Sequence, residues 1–189
     1  MLARFLRDAL DICLMRVKSL EEYSYAAWMP AAWLCLIGIA DAASSTDLDA
    51  SLGARLLFFV SLNWLETVLL AVWLMLWYRI TERKALEGSL FPLMVLCATP
   101  DLIAPALAQV PGDIGNLLKF ALMVYGMTVS VRALMIATRQ KLAGAMIAVL
   151  SFLPVALLLV SGATSVAAQM GWIHDEPPTS APTAEEIGL

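Results

Sequence analysis

The chain has 189 residues, of which 61% are hydrophobic and 15% charged, with a mean hydropathy of +0.80. A soluble domain of this length could not hide so much apolar side chain. A net charge of −4, a pI near 4.9 and the lack of any basic stripe interleaved with aromatics exclude a nucleic-acid binder.

The first element expected is an amphipathic helix on the cytoplasmic side, within residues 1–22. Leu2, Phe5, Leu6, Ala9, Leu10, Cys13, Leu14 and Val17 recur at spacings of three and four, which draws one helical stripe. Arg4, Arg7, Asp8, Asp11 and Lys18 lie mostly off it. Such a helix either lies in the bilayer interface with its bases drawn to anionic lipid, or packs on loops of its own chain; the first is favoured.

Residues 23–173 form a membrane domain. Five apolar stretches, at 25–40, 56–78, 90–110, 114–137 and 143–162, approach the ~20 residues needed to cross ~30 Å of hydrocarbon as helices. Runs this long without alternation exclude barrel strands. The fold class is therefore all-α, a polytopic helical membrane bundle. Prolines 92, 100, 105 and 111 fall in or beside the third stretch and predict that it is kinked or broken. A signal peptide ending near Ala40-Asp41-Ala42 is disfavoured, because the region before it is long and carries Asp8, Asp11, Glu21 and Glu22 among its bases. The tail, 174–189, is acidic and rich in proline, a composition that cannot build a core and predicts disorder.

Orientation follows from the basic residues. Arg4, Arg7, Arg16 and Lys18 precede the first span; Arg79, Arg83 and Lys84 follow the second; Arg132, Arg139 and Lys141 lie at the junction of the fourth and fifth. Only Arg55 and Lys119 fall elsewhere, and the opposite side carries Asp41, Asp47, Asp49, Asp113 and the acidic tail. The positive-inside rule then puts the N-terminus in the cytoplasm and the C-terminus outside, across a cell inner membrane. Trp77, Tyr78 and Trp172 sit where the spans should meet the two interfaces. Trp28 and Trp33 read more simply as bulky packing residues.

Ionisable groups inside spans are costly and mark candidate sites. Glu66 lies ten residues after Leu56, about 15 Å deep at 1.5 Å per residue. Asn63, three residues earlier, shares its face. Such a pair is either a protonated acid bonded to a neighbouring helix or, less often, a proton or cation site. Asp101 lies in the proline-broken third span, where it could cap the segment after Pro100. Lys119 enters the fourth span from the same side at similar depth, and an Asp101–Lys119 ion pair is the expected neutralisation.

No serine or cysteine has a recognisable histidine partner and there is no glycine-rich phosphate loop, so no catalytic residue is assigned and the chain is not read as an enzyme. Cys13, Cys35 and Cys97 are far apart and a single histidine accompanies them, so no metal, disulfide framework or cofactor is assigned. The ten methionines form no Met-x-x-Met cluster and read as packing. Gly144 with Ala148, and Ala27 with Ala31, are small-xxx-small pairs that allow close helix approach. One proline-rich span without a counterpart shows no sign of the paired repeats of transporters.

The segment from about 86 to 159 resembles the Yip family, the Rab-interacting five-span membrane proteins, in its bacterial branch. The likeness lies in Ala98-Thr99-Pro100, in the passage from Val124-Tyr125-Gly126-Met127 to Arg132-Ala133-Leu134, in the polar Arg139-Gln140-Lys141 turn and in a last span with Pro154. It covers the last three spans as a pattern of hydropathy and turns. The Asp-Leu-Tyr-Gly-Pro segment of eukaryotic members has only an accidental echo in Asp101, Leu102 and Pro105, so no Rab-binding residue carries over. The resemblance implies a membrane-organising or partner-binding role. The leading expectation is a protein that binds the bilayer and other membrane proteins, or itself. The alternative is a small proton- or ion-coupled transporter or channel using Asn63, Glu66, Asp101 and Lys119.

Overall fold

A computed structural model describes residues 1–45, 48–81, 86 and 88–173. Arg83, Lys84, Asp47 and the acidic tail, on which part of the orientation argument rests, lie outside the described residues. Those described form helices and connecting turns, with no strand among them.

Eight α-helices follow one another among the described residues. They are α1 Leu2–Cys13, α2 Trp28–Ser44, α3 Leu52–Thr81, α4 Leu90–Cys97, α5 Ala104–Ala108, α6 Gly112–Ala137, α7 Leu142–Leu150 and α8 Leu153–Gln169; 3-10 turns occupy Leu20–Tyr23 and Thr99–Ile103. Four helical stretches are long and apolar enough to cross a membrane: Leu52–Thr81, Leu90–Ala108, Gly112–Ala137 and Leu142–Gln169. These coincide with the second to fifth expected spans. The first, α2, is apolar but has 17 residues, a rise of about 26 Å, somewhat short of the hydrocarbon thickness.

The breaks fall where sequence chemistry requires them. Pro100 and Pro105 each begin a new helical piece, since proline lacks the donor that would continue the previous one. The third stretch is thus α4, a 3-10 turn and α5. Ser89 opens α4 by accepting the backbone N–H of Phe91 at 3.3 Å, an N-cap of the usual kind. The last stretch is interrupted at Ser151 and Phe152, just before Pro154. Gly112 takes φ +73 between the third and fourth stretches, and a Cβ at Gly115 would lie 2.0 Å from the Val110 carbonyl oxygen. Only glycine lets α6 start so close to the preceding chain.

Helices α2 and α3 form the most extensive pair. A Cβ at Gly38 would lie 2.7 Å from Val60 Cα, so the two backbones cross in near contact there. This tight crossing involves neither small-residue pair expected from the sequence. Across the same interface Trp64 Nε1 donates to Cys35 Sγ at 3.4 Å. Buried Leu90, Leu93, Leu96 and Cys97 make α4 the centre of the core, joined by Leu74 of α3 and by Val129 and Leu134 of α6. Trp33 is more than bulk: its Nε1 donates to Thr99 Oγ1 at 3.1 Å and its ring meets Phe5 edge-on.

The N-terminal helix differs from the expectation in extent and in what it covers. It ends at Cys13, and Met15 takes φ +59, a left-handed turn that stops a helix. Its buried residues are Phe5, Asp8, Ala9 and Ile12, and it packs on α4, the Thr99–Ile103 turn and α6. Leu2, Leu6, Leu10 and Leu14 remain exposed. The single apolar stripe read from the sequence is therefore two adjoining faces, one docked and one open.

Candidate functional site

Polar side chains gather at two places. The first lies where α2, α3 and the Thr99–Ile103 turn meet. Asn63 Nδ2 donates to Asp41 Oδ2 at 2.7 Å and to the Phe59 carbonyl at 3.1 Å. Asp41, expected beyond the end of the first span, belongs to the last turns of α2 and is half-buried. Asp41, Glu66 and Asp101 lie within electrostatic reach of one another. Three elements thus bring three carboxylates together with one amide.

Of the four residues singled out from the sequence, three meet here and the fourth does not. Asn63 and Glu66 are neighbours as their spacing predicts, although Asn63 takes Asp41 as its side-chain partner. Glu66 is exposed on α3. Asp101 is half-buried and belongs to the first turn after Pro100 without a side-chain cap bond. The Asp101–Lys119 ion pair does not form: Lys119 lies on an exposed face of α6, and the pairs Arg4–Asp8, Lys18–Asp8 and Lys18–Asp11 lie elsewhere. The turn of the broken third span at Asp101 packs more on α2 than on α6, while Lys119 stays exposed. No group of three His, Cys, Asp or Glu side chains among the described residues is arranged to hold a metal ion. The carboxylates therefore influence each other through their charges without forming a coordination shell.

The second place is the joint between α1 and the bundle. Asp8 is 1% exposed. Its carboxylate accepts from Lys18 Nζ at 2.5 Å and from Tyr25 Oη at 2.5 Å, and Arg4 Nε stands 3.7 Å away. Burial disfavours the charge, but the bonds from Lys18 and Tyr25 and the nearby Arg4 outweigh it and hold the carboxyl below its usual value. Around it, Phe5 packs edge-on against Tyr25, Arg4 donates to the Glu22 carbonyl at 2.6 Å, and the Lys18 backbone N–H donates to Tyr23 Oη at 2.9 Å. Tyr125 Oη of α6 donates to the Cys13 carbonyl, which fixes the far end of the helix.

Asp41 and Asp8 are the residues that sequence reasoning missed. A signal was present for both. Asp41 follows the buried Leu34 and Ile37 at seven and four residues, and Asp8 stands three after Phe5 and four before Ile12, so each acid continues an apolar helical face.

No family model, no curated protein and no solved structure matches the chain.

Proposed function

We propose that this is a multi-pass membrane protein with five crossings, cytoplasmic N-terminus and external C-terminus, which acts in a cell inner membrane by binding lipid and other membrane components. The observation that carries this reading is the open face of α1. One side of the helix is fastened by Asp8, while Leu2, Leu6, Leu10 and Leu14 present an adjoining apolar stripe that remains exposed. A docked helix with an open leucine face suits the bilayer interface or a partner helix. The spans support the same reading. Only 11% of the most apolar stretch of α3 and 17% of that of α7 and α8 is buried within the chain, which leaves lipid or other proteins to cover the rest. A membrane-organising role also agrees with the resemblance to the Yip family.

The test is purification in mild detergent followed by mass spectrometry of bound proteins and lipids. Specific enrichment of membrane proteins or lipids is expected, and replacing Leu2, Leu6 and Leu10 by Ser should deplete it. A bare monomer with no enrichment would contradict the proposal.

A second reading has its own observation, the convergence of Asp41, Glu66 and Asp101 from three elements. It is a proton or cation pathway, and it predicts ion flux in reconstituted vesicles that Glu66→Gln abolishes while the protein stays folded. Flux unchanged in that variant would remove Glu66 from the pathway.

A further inference from the structure

The seam between α3 and α8 is open along much of its length. At the start of α8 Trp73 of α3 donates Nε1 to Ser151 Oγ at 3.0 Å; past its other end a latch forms where Trp172 meets Phe58 edge-on at 5.8 Å and its carbonyl accepts the Asp49 backbone N–H at 2.9 Å. Below that latch the seam gapes on both sides. One groove, about 670 Å³, runs between Leu57, Leu62 and Leu65 of α3 and Leu158, Gly162 and Val166 of α8. The other, about 300 Å³, includes Ser45, Phe59, Val160 and Thr164. Phe58, Leu62 and Ala163 line both grooves, so the two flank one ridge.

Length and charge identify the occupant. On α3 the larger groove extends from Ala54 to Leu65, about 17 Å at 1.5 Å per residue, close to the ~15 Å of one leaflet's hydrocarbon. At the end where α3 begins, Arg55 donates Nη1 to the carbonyl of Ser45 at 2.9 Å, and Ser45 itself lines the smaller groove. Arg55 Nε is buried and has no hydrogen-bond partner, a costly state for a guanidinium donor. Trp172 stands at the same end, the usual place for an indole at a membrane interface. We infer that the α3–α8 seam binds one anionic phospholipid, its two acyl chains lying in the two grooves and its phosphate at Arg55. An acyl chain fills each apolar groove with dispersion contacts that an empty gap would forfeit. The phosphate meets the charge of the Arg55 guanidinium, whose Nη1 already reaches the groove residue Ser45, in a charge-assisted contact.

The inference rests on the membrane reading above and specifies one lipid site within it. Delipidated protein is titrated with phosphatidylglycerol and with phosphatidylcholine of the same acyl chains, and bound lipid is counted by native mass spectrometry. A preference for phosphatidylglycerol of about fivefold is expected, the effect of about one basic residue at an anionic surface. Arg55→Gln should erase the preference, weakening phosphatidylglycerol more than phosphatidylcholine, whose phosphate is offset by its own choline charge. Gly162→Leu adds a side chain where a Cβ meets nothing within 4 Å; it fills the larger groove and should weaken both lipids. Thermal unfolding of each variant confirms that it is folded. Equal binding of the two lipids by the unaltered chain, or a preference that survives both substitutions, would overturn the inference while leaving a general role in binding membrane components standing. A dimer that Gly162→Leu converts to monomer would place a second copy in the seam and overturn it too. Absence of any bound lipid or protein would instead count against the wider proposal.

Discussion

Replacing Asp8 by Ala removes the carboxylate on which Lys18, Tyr25 and Arg4 converge. Breaking a buried ion pair by deleting one partner costs ~3–5 kcal/mol when the other charge stays buried. Here the Lys18 side chain is 35% exposed and can turn toward water, so the lower end applies, about 3 kcal/mol; part of that is the Tyr25 hydroxyl left without its acceptor. The loss falls on the docking of α1, because the other links are Arg4 to a carbonyl, Tyr125 to a carbonyl and the burial of Phe5, Ala9 and Ile12. Amide hydrogen exchange of the purified protein in micelles reads this directly, since local opening free energy sets protection. The amides from Ala9 to Cys13 should exchange about a hundredfold faster, as about 3 kcal/mol corresponds to roughly two decades, while those of α6 keep their rates. Asp11→Ala is the control: Asp11 stands 4.0 Å from Lys18 and is partly exposed, so its effect should stay under about 1 kcal/mol. Acidification adds a second test. The folded Asp8 carboxyl titrates below its unfolded value, so its stabilisation is complete above ~pH 4 and is lost as pH falls below that. Exchange that changes less than about threefold in Asp8→Ala, or protection of α1 that is lost as pH rises instead, would refute the role given to this residue.

Gly38→Leu should separate α2 from α3, because even a Cβ there meets the Val60 backbone; a loss of at least ~1–3 kcal/mol from overpacking would appear as a lower Tm in detergent. Trp33→Phe keeps the ring against Phe5 but loses the bond to Thr99, a cost of about 1 kcal/mol readable in the same melt. Thiol labelling should separate the cysteines. Cys97 is 3% exposed and should resist maleimide until the protein unfolds. Cys13, whose thiol is pushed up by burial and then by the Asp101 charge, should label more slowly than a free thiol at neutral pH.

Much of the helical outline was legible because it depends on local chemistry. Long apolar runs give the four membrane-length stretches, and Pro100 and Pro105 mark the expected breaks in the third, whereas the interruption before Pro154 was not expected. The expectation of a broken third span holds in detail, down to the new piece that starts at Pro100. What lies between helices was harder to read. Periodicity groups Leu2, Phe5, Leu6 and Leu10 into one stripe, yet which half docks depends on α4 and α6, and Ile12, left out of that stripe, is fully buried. Depth along a helix likewise fixes how far Glu66, Asp101 and Lys119 lie from a membrane surface and says nothing of their azimuth. The expected Asp101–Lys119 pair failed on azimuth, and Asp41 became the acid beside Asn63. The close approach at Gly38 was equally hidden, since a lone glycine in an apolar helix does not announce the Val60 backbone opposite it.

Five crossings, as proposed, would put the chain ends on opposite sides of the membrane, and the short α2 is the element on which that count depends. Topology reporters measure it most directly. Fused after Glu87 or Lys141 they should report cytoplasm, and at Thr46 or Leu189 the exterior; Thr46, Glu87 and Leu189 lie outside the described residues, so these sites follow from the sequence. The decisive position is the last. An external Leu189 with a cytoplasmic N-terminus is the predicted result, whereas finding both ends in the cytoplasm would contradict five crossings and leave the four longer stretches as the only spans.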